Sequence, residues 1–297
     1  FFILVSMLKI CNDARKGGYG VPALGVNNEH SVRAAIEAAE EKNSPIILLL
    51  MYGAHPDYVF LGHECAAIAE KASVPVALIL DHGKDFTQCV WAVRAGLTDM
   101  MLDFSALPYE ENVAGCKKAA ELAHAVGMGL EAELGHVGSG ENYAVDGYSN
   151  FTDPDTAVKF VEETGVDFLA VAVGTAHGAY KGTPEIQFDL LKKIADKVSI
   201  PLVMHGGSGS GDDNIAKACT MGICKVNVAN DLYKGMVEAL VSAHPQGNAV
   251  YGTYQILTKA YKEVAAHMMD VCGCTGKAPK TCCGGLGSSE KTSVAEA

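Results

Sequence analysis

Apolar residues recur along this chain in short unbroken runs: Val21 to Val26, Pro45 to Met51, Pro75 to Leu80, Thr98 to Asp103, Met128 to Glu133, Phe168 to Val173, Ile200 to Met204 and Cys224 to Val228. Each has strand length, and unbroken rather than alternating hydrophobicity is what a strand buried on both faces requires. Between the runs the apolar period changes to three and four residues, as in Ser31 to Glu40 and Asp155 to Glu163, which predicts amphipathic helices. Eight strands alternating with helices over about 250 residues predict a single (β/α)8 TIM barrel. A doubly wound sheet is the competing arrangement, but no Gly-x-Gly-x-x-Gly opens the first helix.

The polar residues are placed unevenly on this pattern. Asn27, Asp81, His82, Asp103, Glu133, His177, His205 and Asn227 all lie at or just past the C-terminal ends of the expected strands. In a barrel that end is the catalytic face. Three of these residues are histidines followed by glycine, in Asp81-His82-Gly83, Ala176-His177-Gly178 and His205-Gly206-Gly207-Ser208-Gly209. Glycine lets a ligand approach the backbone closely, and three neutral imidazoles with an open fourth position are the usual outfit of a catalytic zinc. The expected site is therefore a metal centre held by His82, His177 and His205. A strand-end turn can bring Asp81 in beside His82, as an orienter, a ligand or a proton-transfer group. The other histidines, His30, His55, His63, His124, His136, His244 and His267, are expected to be solvated or to serve packing. The turns Gly206-Gly207-Ser208-Gly209 and Asn227-Val228-Ala229-Asn230, after the seventh and eighth strands, fall where barrels commonly hold phosphate.

Composition narrows the function classes. The chain has 297 residues, 49% of them hydrophobic and 20% charged, which suits a folded domain with a large core. A formal net charge of −12 gives no extended basic face, so a nucleic-acid partner is not expected. No apolar run reaches the roughly 18 residues of a membrane span, and Phe1 to Ser6 lack the basic lead of a secretory signal. The expected setting is cytoplasmic, with no membrane partner. Of ten cysteines, six stand singly within the expected elements (Cys11, Cys65, Cys89, Cys116, Cys219, Cys224) and read as reduced core thiols.

Two segments depart from the repeat. His136 to Asp153, rich in Gly, Asn, Tyr and Ser, is long for a βα loop and reads as a lid. The barrel domain is expected over residues 7–271, and residues 272–297 form a Cys-, Gly- and Ser-rich tail expected to be flexible. Its cysteines, Cys272, Cys274, Cys282 and Cys283, match no zinc-binding spacing.

From about Met7 to Gly276 the chain resembles the class II, zinc-dependent ketose-bisphosphate aldolases, the fructose- and tagatose-bisphosphate aldolase family. The matching stretches are Asn12-Asp13-Ala14-Arg15-Lys16-Gly17-Gly18-Tyr19, Asp81-His82-Gly83, Glu131-Ala132-Glu133-Leu134-Gly135, Thr175-Ala176-His177-Gly178, His205-Gly206-Gly207-Ser208-Gly209 and Lys225-Val226-Asn227-Val228-Ala229. The resemblance implies that His82, His177 and His205 bind Zn2+ and that Glu133 is a carboxylate near the metal. It implies that Asp81 exchanges a proton with the C4 hydroxyl as the C3–C4 bond breaks or forms, and that Glu141, in the lid, moves the C3 proton. Gly178, Gly206, Ser208 and Asn230 would hold the phosphate of dihydroxyacetone phosphate, with Asn227 at its hydroxyl and carbonyl end. A monovalent cation as a second ion and a homodimer or higher homo-oligomer are further expectations of the family.

The departures bear on substrate. Ala229 stands where fructose-bisphosphate enzymes have Asp, as in the tagatose-type branch. Tyr233 stands where they use Arg for the distal phosphate, and Met51 replaces a serine common after the second strand. The chain has three arginines, Arg15, Arg33 and Arg94, none near these motifs. Bidentate capture of a second phosphate therefore looks absent. The expected reaction is reversible cleavage of a ketose 1-phosphate, with a 1,6-bisphosphate left open by Lys234. Competing readings are a Schiff-base aldolase using Lys225, a zinc hydrolase, and a non-catalytic zinc or sugar-phosphate binder. Asp81 and Glu141 argue against the last, since binding alone needs neither.

Overall fold

The unbroken apolar runs become strands because a closed parallel barrel buries both faces of each. The computed structural model describes residues 3–138, 150–178, 180 and 184–279. Its strands are β1 (Val21–Gly25), β2 (Ile46–Met51), β3 (Val76–Gly83), β4 (Asp99–Leu102), β5 (Gly129–Leu134), β6 (Phe168–Val171), β7 (Leu202–Met204) and β8 (Ile223–Val228). They pair in parallel in chain order, and β8 pairs back onto β1 with Val21 opposite Lys225, closing the barrel. Seven helices form the outer ring between strands: α2 (Glu29–Lys42), α3 (Tyr58–Ala69), α4 (Phe86–Arg94), α5 (Tyr109–Ala125), α6 (Pro154–Thr164), α7 (Phe188–Lys197) and α8 (Asp212–Thr220). The chain leaves β8 through α9 (Asn230–Ala243) and α10 (Val250–Cys272), and α10 lies along α2 and α9. The (β/α)8 expectation holds, and all eight expected strands are present.

Helix starts follow from local chemistry. Asn28, Asp57, Asp85 and Asp153 each accept a backbone N–H of the helix that follows, satisfying a donor the helix itself cannot. The first helix, α1 (Met7–Gly17), precedes β1 and seals the N-terminal end of the barrel. Its cap Ser6 accepts from Leu8 N–H and donates to Asp99 Oδ1 at 3.0 Å, while Met7 N–H donates to Asp99 Oδ2 at 2.7 Å. Gly129 N–H reaches the same carboxylate at 3.3 Å, and a Cβ at Gly129 would lie 2.7 Å from Asp99 Oδ1, so glycine is required there. Arg15 closes the same end by donating to the carbonyls of Val198 and Ser199.

Beyond residue 271 the chain stays packed as far as Ala278. Cys272 and Cys274 are buried, and Gly276 and Ala278 donate to the carbonyls of Lys42 and Asn43. The eight cysteines among the described residues are free and buried. Among the described residues no helix is long and apolar enough to cross a membrane.

Asp99 gives this architecture a pH signature. Burial pushes its carboxyl up to about 6, against the pull of the Met7, Thr98, Ser6 and Gly129 donors. An unfolded Asp titrates near about 4, so between these values the folded state holds more protons, and the contribution to stability is lost as pH rises through the window. Asp99→Asn is expected to remove that part of the slope. At neutral pH it should cost about 1–3 kcal/mol, because an amide N–H would face a backbone donor. Denaturant midpoints of both proteins at pH 4 and 7 test this; parallel slopes would exclude Asp99 as the source.

Candidate metal centre

β3 does not end as a regular strand. Its register against β4 shifts between Leu80 and Gly83, and His82 sits in left-handed backbone at φ 49°. Gly83 is pressed against the carbonyl of Met101, where a Cβ would not fit. A bulge of this kind re-aims side chains, and here it turns both Asp81 and His82 toward the barrel mouth. Asp81 Oδ1 accepts from Asn227 Nδ2 at 3.0 Å, joining β3 to β8 across the interior. His205 directly follows β7 and is fully buried, and His177 lies in the loop after β6.

The three rings pack edge to face, with centroids 4.7 Å apart for His82 and His177, 4.5 Å for His82 and His205, and 5.6 Å for His177 and His205. Each ring has one nitrogen tied to an oxygen. His82 Nδ1 donates to Asp103 Oδ2 at 2.8 Å, His177 Nδ1 to the Val137 carbonyl at 3.0 Å, and His205 Nε2 to Glu131 Oε1 at 2.8 Å. In the neutral rings that leaves lone pairs on His82 Nε2, His177 Nε2 and His205 Nδ1. One ligand atom from each ring lies within 4.8 Å of the others.

Two distances show that the set suits a cation. His82 Nε2 and His177 Nε2 are 3.1 Å apart, with the hydrogen of each ring already used elsewhere. His205 Nδ1 lies 3.2 Å from Glu133 Oε2, yet both are buried without a well-formed hydrogen bond among the described residues. Tetrahedral zinc with bonds of about 2.0–2.1 Å has ligand-to-ligand edges of about 3.3–3.4 Å. Orphaned atoms at this spacing are what metal ligands leave behind. Asp103 and Glu133 also converge with His82 within 4.8 Å, so the carboxylates stand beside the imidazole set and share His82 with it.

The electrostatics divide the three rings. Burial, reinforced by the other two rings, pushes His177 down to about 4. For His205 burial works in the same direction, but the carboxylates of Glu131 and Glu133 outweigh it and raise the ring to about 9. Burial opposes ionisation of Glu131, but Lys225 and His205 hold it down at about 2. Against burial, His82, Ser105 and Lys84 hold Asp103 well below the usual carboxylate range, and His205 and His82 lower Glu133.

The glycine turns pack against this centre. Gly207 N–H donates to the Asn227 carbonyl at 3.0 Å, and a Cβ there would lie 2.8 Å from that oxygen. Gly206, at φ 65°, abuts the Ala176 backbone. Ser208 Oγ accepts from Asp231 N–H at 3.1 Å, and Asp231 in turn accepts from Gly209 N–H. α9 begins at Asn230; its cap residue Ala229 offers no side-chain acceptor, and Ser208 Oγ takes the Asp231 amide from the neighbouring loop. Gly178, at φ 89°, faces open space. Of the residues named from the sequence, Asp81, His82, Glu133, His177, His205 and Asn227 meet at the mouth, and Gly206, Ser208, Ala229 and Asn230 border it. Glu141 lies outside the described residues. Sequence reasoning gave no role to Glu131, Asp103 or Tyr180. The hydroxyl of Tyr180 accepts from Ala176 N–H at 2.7 Å and lies 2.9 Å from the Gly206 carbonyl, so it ties the His177 loop to the His205 loop. Two glutamates at alternate positions of a buried strand were the available signal for Glu131; Tyr180 and the Val137 carbonyl carried none.

Comparison with known proteins agrees with this geometry. The family model described as Fructose-bisphosphate aldolase class-II matches residues 5–277. The crystal structure of the YdjI aldolase from Escherichia coli K12 is 34% identical, with a TM-score of 0.85, covering 93% of this chain and 100% of that one. The fructose-bisphosphate aldolase (Fba) from Campylobacter jejuni shares the fold at 23% identity and a TM-score of 0.77, covering 93% of this chain and 97% of that one.

One Zn2+ per chain is expected to bind in calorimetric titration of chelator-stripped protein, and His177→Ala should abolish it. The raised His205 stabilises the metal-free fold fully below about pH 6.5, and that contribution is lost as pH rises through about 9. The same proton must leave before Nδ1 can ligate, so zinc affinity should climb from pH 6 to 9 with proton release visible in buffers of different ionisation enthalpy. A flat profile would contradict ligation through that nitrogen.

Proposed function

Because the chain belongs to the class II fructose-bisphosphate aldolase family, we propose that it is a zinc-dependent aldehyde-lyase that reversibly cleaves a ketose 1-phosphate to dihydroxyacetone phosphate and an aldehyde. The observation that carries this reading is the convergence of three imidazole lone pairs, each fixed by an oxygen on the ring's far side, beside a carboxylate held by Asn227. His82, His177 and His205 would hold the ion, with Glu133 next to it. When bound, the ion supplies a Lewis acid that withdraws electron density from the substrate's oxygens.

The chain's own residues account for the proton movements. In cleavage Asp81 takes the proton of the C4 hydroxyl, the C3–C4 bond breaks, and C4 leaves as the aldehyde carbonyl. The electron pair remaining on C3 is delocalised toward C2, and Glu141 returns a proton to C3. Asn227 Nδ2 keeps Asp81 in place, and its buried Oδ1, which has no partner among the described residues, is left to accept from a substrate hydroxyl. Gly178, Gly206, Ser208 and Asn230 receive the phosphate at the start of α9, where the cap residue Ala229 brings no acceptor of its own and backbone amides and the helix dipole favour an anion.

The cation inventory favours a substrate with an unphosphorylated far end. Arg15 is spent on carbonyls at the opposite end of the barrel, Arg33 pairs with Glu29, and Arg94 lies over Trp91. Lys234 is exposed and 3.8 Å from Glu238. Where a guanidinium would serve a second phosphate stands Tyr233, whose buried hydroxyl has no partner among the described residues and suits a neutral hydroxyl group. The Schiff-base alternative is disfavoured because Lys225 is fully buried with its Nζ held by both oxygens of Glu131, away from the mouth where the substrate would lie. The free buried thiols fit a reducing, cytoplasmic setting, and exposed Val237, Val241, Val250 and Tyr251 on α9 and α10 fit self-association.

Retro-aldol assays of paired ketose 1-phosphates and 1,6-bisphosphates should show preference for the former, and a large preference for the bisphosphate refutes the specificity. Asp81→Ala should lower kcat by about 10²–10⁴-fold with zinc content retained. Unchanged turnover would remove Asp81 from the proton path.

A further inference from the structure

The barrel interior holds a buried charge pair that the reaction does not use. On β5, Glu131 and Glu133 point to the same face two residues apart; on β8, Lys225 and Asn227 do likewise. Glu131 and Lys225 are both fully buried, with Lys225 Nζ 2.8 Å from Glu131 Oε2 and 3.1 Å from Oε1. Layers inside such barrels are usually filled by branched aliphatic side chains. Replacing a buried ion pair by apolar residues is often neutral or stabilising, so stability alone is a weak reason for keeping it.

The pair's position supplies a better one. Glu131 Oε1 also accepts from His205 Nε2 at 2.8 Å. With Lys225 donating to both oxygens, Glu131 can only accept, so His205 must keep its hydrogen on Nε2 and leave Nδ1 bare toward Glu133, His82 and His177. An uncharged amide at residue 131 could instead donate to Nε2 and move the hydrogen to Nδ1, where it would block the ion. We infer that Lys225 and Glu131 form a positioning pair that sets the tautomer of His205 for metal capture, relaying the lysine's charge from inside the barrel to the ligand. This role rests on the metal-dependent reading of the site.

The test measures zinc affinity by competition with a chromophoric chelator in the unsubstituted chain, in Glu131→Gln and in the double variant Glu131→Gln/Lys225→Met. Glu131→Gln should weaken binding about 10- to 100-fold. The double variant removes both charges together, so it should melt close to the unsubstituted protein while keeping the binding deficit, a split that a purely structural pair would not produce. A double variant binding zinc as tightly as the unsubstituted chain would overturn the positioning role alone, whereas absence of zinc binding by the unsubstituted chain would overturn the metal reading and this role with it. Nitrogen-15 spectra of the unsubstituted zinc-loaded chain provide an arm independent of variant folding. They should show His205 protonated at Nε2 and metal-bound at Nδ1, and the reverse assignment would overturn the proposal.

Discussion

Lone pairs of three imidazoles aimed at one small volume repel one another, and a flexible chain would not keep them there. They are kept because each ring's other nitrogen is fastened to an acceptor from one sector of the barrel. Asp103 stands just past β4, Glu131 lies within β5, and the Val137 carbonyl comes just after β5. The rings themselves come from β3, β6 and β7. The site thus depends on the pairing of β4 with β5, where Met101 lies opposite Glu131. A slip of one residue in β5 would send both its glutamates to the outer face and free His205 to turn.

The same short strand serves both ends of the fold. Asp99, at the start of β4, gathers Ser6, Met7 and Gly129 and so fixes α1 across the N-terminal end. Asp103, just beyond its last residue, fixes His82 at the other. Stability and chemistry are separated along the barrel axis, as is general for this architecture, yet here they are coupled through four residues. The strain at His82 is tolerated because Asp103, itself held by Ser105 and Lys84, leaves the ring no alternative.

Much of this was legible from residues alone. Unbroken apolar runs marked every strand because burial on both faces removes the alternation that would otherwise identify a half-buried sheet. Polar residues clustered at the C-terminal strand ends marked the mouth because that face of a barrel carries the chemistry. What the sequence concealed was orientation. Asp81 and His82 are neighbours and should point apart; only the register shift after Leu80 lets both face inward. Lys225 stands early in β8, three residues before its end, but its side chain crosses the interior to Glu131, a contact no linear spacing reveals. Tyr180 and the Val137 carbonyl act through loop contacts, which have no period. Cys272 and Cys274 sit in a stretch whose composition reads as a tail, yet docking against α2 buries them.

The charges facing the barrel axis lead to one more step. Glu131 is neutralised in place by Lys225, so it adds polarity without leaving net charge near His205. Glu133 has only the proton of His205 to balance it: its Oε1 accepts from Val137 N–H, while Oε2 lies 3.2 Å from His205 Nδ1. Asp81 leans on Asn227, a neutral donor. Once that proton leaves, the interior beneath the mouth carries anionic groups that the protein's own cations do not balance. In a low-dielectric space this imbalance is costly, and a bound dication relieves it. The proposed ion then completes a set of charges that the fold leaves unfinished, and its affinity belongs as much to the carboxylates behind the rings as to the rings themselves.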